Sequence, residues 1–416
     1  MTTPIPSGRQ LYIVGEFNLI NKMVKSLFKQ SGIYFFGSLI SKAVTTLVWI
    51  LLARLLSPEK YGQFTLYFML MQFVTFLADF GLNQYYLKSV ENLDRKYLFN
   101  KVFFVRTATL LVSMVIMALI LFHFHIFDNL VTLFFVLSLI PMAYLSVSDG
   151  FYLEQKKGFR VSFRLASIGI IIFIGLLFLY QDLNLLKAAL LLLFSLLLTF
   201  AWFFPWRIIS LIKISFSEIL SILNKSSSYA FLTFTSFFYN KGDSLIISYF
   251  KGNTALGIYG LAYRFLESLS LFPTSLVQNL FPISAKKAGI SKLQLKKISG
   301  VMFLMGFIFA LAIYSLSYLL ISSLFQKDYW QAIPILKIFS LVILLFFINA
   351  PLSTTVQSSQ LVKSFLPFGI INTFLNILLN ILFVPIFGII AAAWVMVISE
   401  ITGLIINLYF VKKLYS

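Results

Sequence analysis

The chain reads as an all-α polytopic membrane protein: twelve transmembrane helices in two repeated six-helix bundles around a central cavity. Three observations predict this. Hydrophobic residues make up 60% of its 416 residues and charged residues only 11%, where a soluble domain carries about 45–50% and about 25%. Twelve apolar stretches are long enough to cross a bilayer, which takes roughly 20 residues per helix. Finally, 24 of the 33 Lys and Arg residues fall in alternate connecting segments, and only Arg54, Lys60, Lys187, Lys251 and Lys327 fall in the others.

That alternation sets the orientation. Cytoplasmic loops carry the excess of Lys and Arg, so both termini are expected in the cytoplasm. The formal charge of +19 then needs no nucleic-acid partner. Almost all of it lies on one face of the membrane, and the charges inside the helices cancel. The first thirty residues carry five charges and no apolar core followed by a cleavage site, so no cleaved leader is expected. With no cysteine, disulfides and thiolate metal sites are excluded.

A cytoplasmic segment, 1–32, precedes the first bundle, 33–205, whose spans are expected at 33–55, 61–84, 102–123, 130–148, 162–180 and 186–205. A basic stretch, 206–225, is expected to lie along the cytoplasmic interface as a linker. The second bundle, 226–416, follows with spans at 226–250, 254–283, 299–324, 332–358, 364–386 and 388–410. A short repeat supports the division. Gly62-Gln63-Phe64-Thr65-Leu66 opens the second span and Gly257-Ile258-Tyr259-Gly260-Leu261 opens the eighth, each after the first span of its half. Parallel repeats of this kind place substrate between two halves that rock alternately open.

Three stretches give the chain a family resemblance. Leu51-Leu52-Ala53-Arg54-Leu55-Leu56-Ser57-Pro58-Glu59-Lys60-Tyr61-Gly62 leads to Asp79-Phe80-Gly81-Leu82. Asp243 is followed by Leu256-Gly257-Ile258-Tyr259, Tyr263-Arg264 and Leu280-Phe281-Pro282. Asn376-Ile377-Leu378-Leu379-Asn380 leads through Pro385 and Gly388 to Ala391-Ala392-Ala393 and Glu400. In this order they resemble polysaccharide flippases of the Wzx type, within the multidrug, oligosaccharidyl-lipid and polysaccharide exporter superfamily. Ser57 and Ala391 stand where that family usually has glycine. The resemblance implies a MATE-like fold and no bond chemistry, only translocation of an undecaprenyl-diphosphate-linked oligosaccharide, such as an O-antigen unit of lipopolysaccharide, across the bacterial inner membrane. It also implies membrane lipids as surroundings, with a polysaccharide polymerase and a chain-length regulator as partners.

The intramembrane polar residues are the candidate site. Lys42, Lys241, Arg264 and Lys337 are the cations within spans; each costs about 2.5–3.5 kcal/mol at a helix centre and so avoids lipid. Guanidinium and ammonium groups suit a diphosphate, which favours Lys42, Arg264 and Lys241 as head-group contacts. Lys337, near a helix end, can snorkel. The competing structural role is pairing: Arg264 with Glu267, three residues on, or Asp79 with a cation at the cytoplasmic end. Asp243, and Glu400 with no cation near it in sequence, are candidates for ion coupling or for structural pairing. Asn372, Asn376 and Asn380 share one helix face, to bind sugar or to join helices. Asn349-Ala350-Pro351 predicts a kink in the tenth span.

Enzymatic and metal chemistry find little support. His123 and His125 have no acidic cluster beside them, which favours an interfacial role over a metal site. Gly252 and Gly257 lack the Lys and Ser/Thr of a phosphate loop. No cofactor is expected. A glycosyltransferase or polysaccharide polymerase would need a larger external segment. A drug or cation extruder on the same fold is disfavoured by the intramembrane cations, which repel a cationic cargo. The orientation is checked with a membrane-impermeant thiol reagent: a cysteine beside Asp182 is labelled from outside and one beside Lys292 is not.

Overall fold

The structure, a computed structural model, describes residues 37, 40–90, 94–123, 129–270, 272–274 and 290–416. The segment 1–32, His125 and the side chain of His123 lie outside them. Among the described residues the chain is helical with no strand. The helices are α1 (40–55), α2 (Pro58–Asp79), α3 (Leu82–Ser89), α4 (Arg95–His123), α5 (Asn129–Glu154), α6 (Gly158–Phe178) and α7 (Leu185–Phe203). They continue with α8 (Phe216–Leu269), α9 (Lys292–Leu324), α10 (Ala332–Gln357), α11 (Val362–Phe387) and α12 (Ile389–Leu414). Nine helical stretches in the described residues are long and apolar enough to span a membrane. With α1 and the two limbs of α8 they match the twelve expected spans, and the protein is a multi-pass membrane protein.

Glycines and caps set the ends of the helices. Ser57 caps α2, accepting from the Lys60 amide, with Pro58 in the first turn, where a missing N–H costs nothing. In α8, Gly252 has a left-handed φ of 80° that divides the helix into limbs 216–251 and 253–269. Gly388, φ 70°, is likewise the only residue between α11 and α12. A side chain is strained in that region of backbone space, so each turn depends on glycine.

Two expectations need correction. The second span does not run unbroken to residue 84: Phe80 and Gly81 both take positive φ, and the helix restarts at Leu82. Gly81 sits so close to the Ser226 carbonyl and Ala230 amide that a Cβ there would clash. The linker is also not wholly outside the helices. After the short 3-10 turn Trp206–Ile208, a Ser215–Glu218 capping box starts α8 at Phe216, since reciprocal capping satisfies its first amides. As expected of a single span, α10 runs through Pro351 to Gln357, with Thr354 and Thr355 hydroxyls donating to the carbonyls of Ala350 and Pro351.

Ion pairs and hydrogen bonds join the helices at both ends. At the basic end Arg95 pairs with Glu154 and Lys101 with Glu218, each at 2.7 Å, and the Tyr415 hydroxyl donates to Ile290. At the other end the Tyr329 hydroxyl donates to the Leu56 carbonyl and Lys251 to that of Pro385. Between the ends, α2 is the most enclosed of the long apolar helices, and α9 and α11 the least. Leu111, Leu119, Phe307 and Phe374 are among the apolar side chains left facing outward, as lipid contact requires.

The two halves meet through the repeated glycines. A Cβ on Gly62 would overlap the carbonyl of Asn253, and one on Gly257 the carbonyl of Pro58. The contact is reciprocal: each glycine faces the residue four positions before the other. Only glycine lets α2 and the second limb of α8 cross this closely. Tyr61 and Tyr329, edge to face at 6.3 Å, pack over the same end. Gly62→Ala should therefore force the crossing apart. In this cysteine-free chain, a cysteine at buried Thr65 is expected to become reactive to an impermeant maleimide only in that background.

Candidate functional site

A cavity of 660 Å³ opens within the first bundle, lined chiefly by α1, α2, α5, α6 and α7 and bordered by Thr233 and Glu267 of α8. Ser41, Thr45, Gln72, Thr75, Asn83 and Ser146 give it hydroxyl and amide groups. Trp49, Phe68 and Phe76 give it aromatic faces. Polar donors beside flat rings suit a carbohydrate, whose hydroxyls need partners and whose C–H faces do not.

The charged groups form linked pairs. Arg264 lies 3.6 Å from the centre of the Trp49 ring, a cation–π contact strengthened by desolvation. Its Nη1 donates to Glu267 at 2.7 Å, the pairing that the i, i+3 spacing allows. Lys241 Nζ reaches the other oxygen of Glu267 at 3.8 Å and lies over the Tyr263 ring. Lys42 is exposed on the cavity wall and has no ion pair among the described residues. Asp149 and Arg164 make a bidentate pair at 2.8 and 2.6 Å on the same wall. Each carboxylate bordering the cavity lies against an arginine, which leaves Lys42 and Lys241 as surplus positive charge.

Asp79 is paired with Arg106, which also lies 3.4 Å from Asn83 and is fully buried. The sequence placed Arg106 among cytoplasmic surface charges; the structure instead sets it inside the first bundle. The other Asp79 oxygen accepts from the Gly81 amide, so the pair also holds the break after α2.

Asp243 and Glu400 stand back from the cavity with neutral partners. Asp243 accepts from the Tyr259 hydroxyl and the Ser244 amide. Glu400 accepts from the Tyr239 hydroxyl at 2.6 Å and from Asn349 Nδ2 at 2.9 Å; Asn407 in turn donates to Asn349. The asparagine stripe faces α12: Asn372 donates to the Ser399 carbonyl, Asn376 to the Ser399 hydroxyl, and Asn380 back to Asn376. None of the three lines the cavity. Lys337 lies over the Tyr314 ring, away from it.

Several lining residues had no signal in the sequence. Gln72 and Thr75 occur in an apolar run, and Trp49 reads as a core aromatic. Asp149 and Arg164, 15 residues apart, read as unrelated charges at helix ends. Their shared position on either side of one short turn was the available clue.

A family model described as "Polysaccharide biosynthesis protein" matches residues 51–289. The chain belongs to this family. No curated protein matches it in sequence. Among solved structures it is similar to the lipid II flippase MurJ in an inward closed conformation, with a TM-score of 0.73 and 18% identity over 91% of this chain and 87% of that one. It also resembles an inward-facing multidrug resistance MATE family transporter of the MOP superfamily, at TM-score 0.66 and 14% identity over 90% and 94%. A point mutant of the MATE transporter VcmN of Vibrio cholerae matches at 0.58 and 13% identity over 95% and 97%. The family places the chain in polysaccharide biosynthesis, and the solved structures show that it has the fold shared by MurJ and the MATE transporters.

The Asp79–Arg106 pair carries a stability prediction. Removing one partner of a buried pair costs about 3–5 kcal/mol, whereas replacing both by apolar groups can be neutral. Asp79→Leu alone should lower the thermal stability of the detergent-solubilised protein sharply. Adding Arg106→Met should restore most of it.

Proposed function

We propose that this protein is a flippase for an undecaprenyl-diphosphate-linked oligosaccharide, such as an O-antigen repeat unit, moving it from the cytoplasmic to the periplasmic leaflet of a bacterial inner membrane. Both termini are cytoplasmic in this reading, and the bundles 33–205 and 226–416 act as the two rocking halves about the 206–225 linker. The observation that carries it is the polar, aromatic-walled cavity with surplus charge at Lys42 and Lys241, in a member of a polysaccharide biosynthesis family.

Each part of such a cargo has a physical counterpart here. The diphosphate is anionic and meets Lys42 first, the one cavity cation without an ion pair among the described residues; Lys241 and Arg264 lie behind it and share Glu267. A phosphate entering there competes with Glu267 for both cations, so binding exchanges one ion pair for another and avoids desolvating bare charge. The sugars meet Gln72, Asn83 and the hydroxyls around Trp49. The Gly62–Gly257 crossing closes the end opposite the basic one, the arrangement a cytoplasm-facing state needs. A cationic cargo finds no comparable match, because the surplus charge repels it.

Lys42→Gln tests the assignment. A charge-assisted hydrogen bond contributes about 1.5–3 kcal/mol, so surface glycan should fall by about tenfold or more while membrane abundance of the protein stays normal. Lys337→Gln, remote from the cavity, should leave export unchanged. Normal surface glycan in Lys42→Gln cells would remove this lysine, and the diphosphate assignment with it.

A further inference from the structure

The repeat creates two equivalent seams between the bundles, and they differ. Where α1 meets the second limb of α8, the Thr46 and Ser268 hydroxyls bond at 2.8 Å and Arg264 stacks on Trp49. Over the described residues that seam is shut. The other, where α2 meets the first limb of α8, holds a row of hollows: 670 Å³ beside Phe80 and Leu220 at the basic end, 350 Å³ beside Phe76 and Phe231, and 850 Å³ beside Leu70 and Phe238. Their α2 lining runs from Phe80 to Leu66, about 21 Å at 1.5 Å per residue, most of the roughly 30 Å hydrocarbon core.

This row is apolar and aromatic. Phe73 lies 5.2–6.0 Å from the rings of Phe234, Phe237 and Phe238, forming a collar between the 350 and 850 Å³ hollows. Rings of this kind turn about two bonds and can part without moving backbone. A side opening of 400 Å³, lined by Gln72, Thr233, Asn240 and Lys241, adjoins the row at Phe76. Gln72, Phe76 and Thr233 line the central cavity as well. An apolar trough thus adjoins the cationic cavity across a polar wall of shared side chains that has a lysine at its edge.

From this juxtaposition we propose that the seam between α2 and the first limb of α8 is the binding groove for the isoprenoid chain of the lipid diphosphate, with the head group crossing that wall at Gln72, Thr233 and Lys241. Bulk lipid needs no such approach to the polar cavity; an amphiphile whose charged head must leave the bilayer while its chain stays does. The inference rests on the flippase reading and adds where the tail runs and by which side the head enters.

The test uses the full-length protein in phosphatidylglycerol nanodiscs and an undecaprenyl diphosphate analogue with a diazirine in its chain. Photolabel is expected on peptides containing Phe73, Phe76 and Phe231, and excess unlabelled undecaprenyl diphosphate should remove it where excess phosphatidylglycerol does not. Ser227→Trp, at an exposed position bordering two of the hollows, should lower that labelling by about tenfold by filling the trough. Equal labelling of lipid-facing α9 without competition would mean annular lipid only and overturn the groove. Saturable binding of radiolabelled undecaprenyl diphosphate that is lost in Lys42→Gln, combined with label concentrated on α1 and the second limb of α8, would sink the groove but keep the flippase. No saturable binding in the wild type would sink both.

Discussion

The crossing of α2 over the second limb of α8 is the contact on which the two-bundle arrangement depends. No hydrophobic driving force draws helices together inside a bilayer, because lipid tails are as apolar as leucine. Close packing must supply the attraction instead, and it grows as backbones approach. Gly62 and Gly257 remove the one atom that would hold these helices apart. Because each faces the carbonyl four residues before the other, the contact has the symmetry of the repeat itself.

Around that contact the molecule separates two kinds of polar group. Those on the cavity wall are charged and linked in pairs, with Glu267 shared between Arg264 and Lys241. Those in the second bundle are neutral donors around Glu400 and along the asparagine stripe, and they bond helix to helix. The first set can exchange partners with an anion; the second has satisfied its donors internally. The second bundle thus carries both kinds: a charged cluster on α8 that reaches the cavity wall, and a neutral network that joins α10, α11 and α12.

Much of this was legible in the sequence because membrane physics constrains it strongly. Span number, the sorting of charge to opposite ends and the repeated glycine all follow from local composition and period. Which helices meet does not. Asp79 finds Arg106 at a separation of 27 residues and Lys241 finds Glu267 at 26, and no local pattern joins them. The asparagine stripe shows the same limit: its spacing establishes a shared face, but only packing turns that face towards Ser399. Arg106 misled because a cation five residues into a span looks like a snorkelling end charge until its partner is known. The break at Gly252 fell between two expected spans, whereas the one at Phe80–Gly81 fell inside one, where close backbone approach demanded it.

Gly252 and Gly388 each complete a reversal of chain direction with a single residue. Hairpins this tight leave almost nothing projecting at these two points. A protease or an antibody has no loop to grip at either. The same economy makes those two turns the poorest places to insert an epitope or a reporter domain.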